Sequence, residues 1–423
     1  MMVPTNTFFT MRSVLIFKRS LGSTRYLQAK KKSGSKRGKE EVIIQKYFGR
    51  PSSHLSAGIV GLANVGKSTF FQAVTKSEAG IAANYPFATI EPQELLINIP
   101  SCRLDFLQSL YQSKKQIKGT LSICDIAGLT KNASKGVGLG NQFLNDIRQV
   151  DGIFQVVRGF RDDEITHIEE SVDPVRDLEI VSEELVFKDL DFVGVAIESL
   201  EKKIKYNKNP MELRVMKSEL DALKKAEDIL LEGKKISSVK TWTNDDIDGL
   251  NRHNLLTAKP TTYLLNVNEE DYLNQQNEFL QPVKNWIDEN SPDDNLLIFS
   301  AAVETKIKNG EDTLQSAIPQ ILQEMKNNLN LISFFTCGPL EVREWPVRKN
   351  SMAPQAAGII HTDLQSTFIS ADVISYSDLD QQTPDTFSLA KLKSGGKIRK
   401  EGKSYVIEDG DVMLVKAGAG KAR

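Results

Sequence analysis

From residue 54 onward, short apolar runs alternate with stretches of helical spacing. The runs at 58–60, 95–99, 121–124 and 152–157 are too short and too evenly apolar for surface helices, and they predict buried strands. The loops and helical patterns between them point to a parallel α/β sheet. At Asp173 the pattern changes. Residues 175–205 and 211–231 carry apolar positions at helical spacing amid dense charge: Leu178, Val181 and Leu185 in the first, Leu213, Met216, Leu220 and Leu223 in the second. Asn207-Lys208-Asn209-Pro210 breaks them apart. This reads as an antiparallel helical hairpin, with two ordinary helices folded onto the sheet as the alternative. The strand pattern resumes at 262–266 and 296–300, so the helices interrupt one α/β domain. Beyond Leu331 the chain is rich in strands and turns. There, 405–407 and 412–415 flank Asp409-Gly410, a hairpin signal. The expected divisions are a basic leader and linker at 1–45, an α/β domain at 54–172 and 256–331, a helical insertion at 173–255 and a third domain at 332–417.

Composition changes this picture little: 40% hydrophobic and 26% charged is ordinary for a globular protein of 423 residues. No run of about 18 apolar residues exists, so no membrane span is expected. Cys102, Cys124 and Cys337 have neither metal-ligand spacing nor the density of a disulfide framework. Charge adds more. Residues 1–39 hold ten basic side chains and no acidic one, so the remaining 44 basic residues face 55 acidic ones. A Ser-bearing, acid-free leader with apolar residues at Phe8, Phe9 and 14–17 fits a mitochondrial transit peptide, which places the protein in the matrix. A basic arm touching nucleic acid, in a cytoplasmic protein, is the other reading.

The chemistry concentrates in Gly61-Leu62-Ala63-Asn64-Val65-Gly66-Lys67-Ser68, a G-x-x-x-x-G-K-[ST] loop between a strand pattern and the helical run Thr69-Phe70-Phe71-Gln72. Its glycines let backbone N–H groups wrap phosphates at a helix N-terminus. Lys67 brings a point charge to the β- and γ-phosphates, and the Ser68 hydroxyl suits Mg²⁺. Asp125-Ile126-Ala127-Gly128-Leu129 ends a strand: Asp125 serves the Mg²⁺ shell and the Gly128 N–H the γ-phosphate. Thr89, in the loop between the two motifs, is the expected second Mg²⁺ ligand; Thr75 still lies on the helix. Asn64, Val65, Gly66, Lys67, Ser68 and Thr69 are the candidate phosphate-binding residues, with Lys67, Thr89 and Gly128 as catalytic groups.

Several segments resemble the Obg-like ATPases, the YchF family of translation-factor-type P-loop GTPases. They are Ala63-Asn64-Val65-Gly66-Lys67-Ser68-Thr69, Asn84-Tyr85-Pro86-Phe87-Ala88-Thr89-Ile90-Glu91-Pro92, Asp125-Ile126-Ala127-Gly128-Leu129, Gly138-Leu139-Gly140-Asn141, Asn266-Val267-Asn268-Glu269-Glu270, Gly338-Pro339-Leu340-Glu341-Val342-Arg343 and Ala353-Pro354-Gln355-Ala356-Ala357-Gly358. The likeness covers about 58–416. It implies an α/β P-loop G domain, an inserted α-helical hairpin (coiled coil) and a C-terminal TGS domain of β-grasp fold. It also implies ATP hydrolysis, in preference to GTP, and association with ribosomes or RNA through the TGS and helical domains.

Two departures from ordinary GTPases bear on mechanism. Leu129 stands where many have a water-orienting glutamine, and it cannot hold water by hydrogen bonding. Asn266-Val267-Asn268-Glu269 replaces N-K-x-D, losing the lysine and lengthening the acid. For adenine, Glu269 must swing away from the Watson–Crick edge, while Asn266 accepts from N6 and the Val267 backbone meets the ring. Ser300 fits the base-proximal loop, with a plain strand-end role as the alternative. Asn64, three residues before Lys67, sits where similar cation-dependent GTPases place a K⁺ ligand; a brace within the loop is the other reading. Three function classes remain open: a Mg²⁺-dependent ATPase switch, a conventional GTPase, and a ribosome- or RNA-binding module in which hydrolysis is incidental.

Overall fold

The computed structural model describes residues 45–76, 93–126, 140–162, 167, 171–311 and 314–418. The basic leader, Thr89 with its loop, and Gly128 and Leu129 lie outside the described residues.

A six-stranded sheet organises the first domain: β1 (Ser56–Val60), β2 (Gln93–Asn98), β4 (Thr120–Asp125), β5 (Gly152–Arg158), β6 (Thr261–Asn266) and β7 (Asn295–Phe299), in the order β2-β4-β1-β5-β6-β7. Only β2 runs antiparallel to its neighbour. β1, β5 and β6 are buried along their whole length, as their unbroken apolar runs require of parallel strands covered on both faces. The helices α1 (Lys67–Lys76), α3 (Gly140–Gln149), α7 (Glu269–Asn274), α8 (Leu280–Asn290), α9 (Ala301–Lys308) and α10 (Ile318–Asn328) belong to this domain. Phe70 of α1 meets Phe154 and Phe299 edge-on, at centroid distances of 5.6 and 5.2 Å, which seats the helix on the sheet.

Between β5 and β6 the chain forms α4 (Pro174–Tyr206), α5 (Pro210–Leu231) and α6 (Asn244–Leu250). Both long helices start as the sequence suggests. Asp173 and Asn209 accept the first free N–H groups, and Pro174 and Pro210 open the first turns. α4 serves two cores. Leu178, Ile180, Val181 and Leu185 pack into the sheet domain. From Val186 to Leu200 the same helix packs with Leu223, Ala226 and Leu230 of α5. Both readings of these helices are thus realised in succession along one rod.

The C-terminal sheet contains β8 (Leu331–Cys337), β9 (Glu341–Arg348), β10 (Phe368–Ile374), β11 (Arg399–Glu401) and β12 (Val412–Ala417), ordered β11-β10-β12-β8-β9 with β12 parallel to β8. With α11 (Ala353–Ile360) crossing one face, this is a β-grasp arrangement. Ala353, Ala356 and Ala357 are small enough to bring α11 close to that face. The expected hairpin of 405–407 with 412–415 is corrected. Val406 bridges Met352 instead, and β12 pairs with β10 and β8. The Ile407 N–H goes to Ser351 O and Tyr405 O receives the Ala353 N–H, so the turn at Gly410 returns the chain to a different strand.

The opposite face of that sheet is covered by the first domain. α2 (Cys102–Tyr111) lays Leu104, Leu107 and Leu110 against Phe335, Val342, Ile374 and Val412. β3 (Lys115–Ile117) extends the sheet as a sixth strand, parallel to β9. Each leucine contributes about 1.5–3 kcal/mol by burial, so the two domains share a core rather than a hinge. Ordered structure also begins earlier than residue 54. Arg50 makes a two-point contact with Asp151 at 2.7 and 2.5 Å, Asn251 bonds Gly49 and Tyr47, and Arg348 donates to Phe48 O at 2.8 Å. Among the described residues, no helix is long and apolar enough to cross a membrane.

Candidate functional site

The candidate site lies beyond the carboxyl end of β1, where a parallel sheet leaves its crevice. Leu62 and Val65 are buried and anchor the loop, while Asn64 and Ser68 are exposed. Three residues carry positive φ: Gly61 at 155°, Asn64 at 62° and Gly66 at 103°. A Cβ on Gly61 would overlap Val156 O, and one on Gly66 would overlap the Asn266 amide nitrogen. Both glycines are therefore required by close approach as well as by backbone angle. The first helical bond, Phe70 N–H to Gly66 O at 2.9 Å, starts α1 directly from the loop.

Lys67 is buried, and its ammonium donates to Leu62 O at 2.5 Å. Burial pushes its pKa down to about 8, and Asp125 opposes part of that fall. Asp125 ends β4 opposite Ile59 of β1. Its carboxyl is held above the usual carboxylate range by burial, with Lys67 pulling it back. The structure thus brings Lys67 and Asp125 within each other's field, with Ser68 and Thr69 on the first turn of α1. An exposed hydroxyl and a half-buried carboxylate are hard-oxygen donors of the kind that Mg²⁺, keeping several waters, takes.

The other end of the site is built by side chains. Asn266, at the tip of β6, donates from its amide to Val65 O at 3.0 Å and accepts the Ala301 N–H at 3.0 Å. One buried amide thereby locks the phosphate loop, the β6 loop and the start of α9 together. That oxygen already accepts the Ala301 N–H, which leaves one lone pair for the expected acceptance from N6. Val267 is buried in the core and its N–H is taken by Phe299 O at 2.9 Å, so at most its carbonyl is free for a ring. Ser300 is fully buried and caps α9 through Val303 N–H. In this arrangement its side chain serves the strand end and helix start, as the alternative reading has it. Glu269, at the start of α7, pairs with Lys306 of α9 at 2.6 Å. Sequence reasoning missed Lys306, since nothing local to either residue announces a contact across 37 positions.

A glycine-framed loop running from a central strand into a helix, with a lysine at the helix start and an aspartate on the neighbouring strand, defines a P-loop nucleotide-binding G domain. Residues 56–189 match the family model described as 50S ribosome-binding GTPase, and residues 331–418 match the model of the YchF GTPase C-terminal region, described as a protein of unknown function. The chain belongs to the YchF, or Obg-like ATPase, family. It is similar to an Obg-like ATPase homolog of Saccharomyces cerevisiae, 51% identical over 396 residues, covering 89% of this chain and 98% of the relative. It is also similar to human Obg-like ATPase 1, 40% identical over 90% of this chain and 97% of the relative. The solved structure of the Schizosaccharomyces pombe YchF GTPase matches with a TM-score of 0.78 at 44% identity, covering 88% of this chain and all of that one.

Proposed function

We propose that the chain is a Mg²⁺-dependent nucleoside triphosphatase that hydrolyses ATP in preference to GTP and switches partner affinity with its nucleotide state. One observation carries the reading: the buried Lys67 ammonium, donating to the Leu62 carbonyl beside Asp125, at the head of a helix whose loop is framed by two obligatory glycines. With a pKa of about 8, Lys67 is still mostly protonated at neutral pH. A buried ammonium at such a helix start gains strongly from a phosphate. Ser68 and Asp125 would hold Mg²⁺, which when bound neutralises charge on the β- and γ-phosphates. Thr89 and Gly128 complete the proposed catalytic set. Leu129 implies slow intrinsic turnover, so a further group, such as a K⁺ held at Asn64, is part of the proposal. Equal rates in K⁺ and Na⁺ would remove that ion.

The preference for ATP is supported by the names of the Obg-like ATPase relatives and by Glu269, one of whose carboxylate oxygens is paired with Lys306. The 50S ribosome-binding description supports a ribosomal partner, met through the helical and C-terminal domains, the latter read as a TGS domain. Residues 1–45 are proposed to direct mitochondrial import; a reporter fusion that stays cytosolic would favour the basic arm. The decisive measurement is affinity and Mg²⁺-dependent hydrolysis for ATP and GTP on the full chain. About tenfold tighter ATP, or some 1.4 kcal/mol, is expected. Tighter GTP than ATP would overturn the preference and leave a conventional GTPase.

A further inference from the structure

Resting on that nucleotide site, we propose that Lys306 is a specificity-determining residue, acting by holding the Glu269 carboxylate away from the base. Asn266 joins Val65 O to Ala301 N–H, which fixes the start of α9 beside the phosphate loop. Three residues past Asn266 stands Glu269, and five past Ala301 stands Lys306, so the same two loops are tied a second time by the pair at 2.6 Å. The first tie is buried and neutral. The second is charged, and both its side chains remain partly open to solvent, at 42% and 34% exposure.

A carboxylate can read guanine because guanine offers two donors, N1–H and the 2-amino group, while adenine presents a lone pair at N1. Glu269 is the acid in the position from which such reading is done. Spending one of its oxygens on Lys306 removes an acceptor and turns the group towards α9. Guanine then loses a partner and adenine loses a repulsion. The neighbouring Asp271 is held through its Oδ2 by Asn268 and Asn277. An ion pair at the ends of two surface helices, with no part in recognition, would leave the choice of base untouched. That difference makes the inference testable.

The test is the ratio of ATP to GTP dissociation constants, measured in Mg²⁺ with the full-length protein. Lys306→Met should free Glu269 and move the ratio towards GTP by about fivefold, a modest shift because solvent screens the pair. Lys306→Arg, which keeps the ion pair, should keep the original ratio. In a Glu269→Gln background, Lys306→Met should produce no further shift, since the carboxylate is already gone. An unchanged ratio in Lys306→Met, or an equal shift with and without the Glu269 carboxylate, would overturn the proposal. Melting curves on each variant identify a ratio distorted by unfolding, and the Arg and Gln variants decide the matter if the Met variant is unstable. A wild-type chain that binds neither nucleotide would remove the site reading itself; one that binds ATP but ignores Lys306→Met removes only this inference.

Discussion

The two ends of the site are made differently. At the phosphate end the chemistry is carried by backbone: consecutive N–H groups, two glycines at positive φ and a helix start, with Lys67 as the principal charged side chain. At the proposed base end it rests on side chains from two separated segments, Asn266 and Glu269 after β6 and Lys306 on α9. Backbone geometry of the first kind needs contiguous residues and therefore tolerates few sequences. Side-chain geometry of the second kind can be re-paired by one substitution at either partner. Catalytic competence should therefore respond steeply to mutation at one end, and choice of base should drift gradually at the other.

The largest effect is expected from Lys67→Ala. It removes the charge that compensates the phosphates, and kcat should fall by about a hundredfold or more for ATP and GTP alike. Single-turnover hydrolysis checks this, and a normal rate would mean the phosphates bind elsewhere. Gly66→Ala comes next. It forces a Cβ onto the Asn266 amide and strains a backbone at 103°, at about 1–3 kcal/mol for the conformation alone. Nucleotide affinity and Tm should both fall, with no change in the ratio of ATP to GTP. A changed ratio would show that the two ends are not separable.

Asn266→Ala tests the joint between the ends. It leaves Val65 O and the Ala301 N–H without their shared partner, each at about 1–3 kcal/mol if water cannot replace it. Affinity for both nucleotides should weaken and Tm should drop, because the phosphate loop and α9 lose their common brace. Loss of discrimination alone, with stability intact, would instead assign Asn266 to base reading, as the sequence suggested.

The phosphate end was legible because an eight-residue pattern and a strand-end aspartate encode it locally. Helix starts were legible for the same reason: Asp173-Pro174 and Asn209-Pro210 carry their caps beside their prolines. What escaped is what depends on distance along the chain. Leu104, Leu107 and Leu110 look like an ordinary helix face, and nothing in them says that the surface they cover belongs to strands more than 200 residues away. Arg50 finds Asp151 and Glu269 finds Lys306 only after the fold is made. The packing around the end of β6 and the start of α9 was not legible either. Ser300 and Val267 turned inward because a strand end and a helix start there need a cap and a core.

The smallest effect, and the most pointed, concerns conversion towards GTP. Sequence comparison suggests restoring both missing features, with Val267→Lys and Glu269→Asp together. The structure argues against the first. Val267 is 2% exposed, so a lysine there would drive an ammonium into the core beside Phe299, a burial that costs several kcal/mol without a partner. Glu269→Asp alone is the cleaner change. The shortened side chain would stop one methylene short of Lys306, so the pair weakens and the carboxylate gains freedom to accept from guanine. The ratio of dissociation constants should move towards GTP by about threefold, less than for Lys306→Met because the two charges still attract across the longer gap. The double variant should lose Tm and bind both nucleotides poorly. If it instead proved stable and selective for GTP, residue 267 would have a route to the base that its burial denies, and the side-chain account of this end would have to be rebuilt around that position.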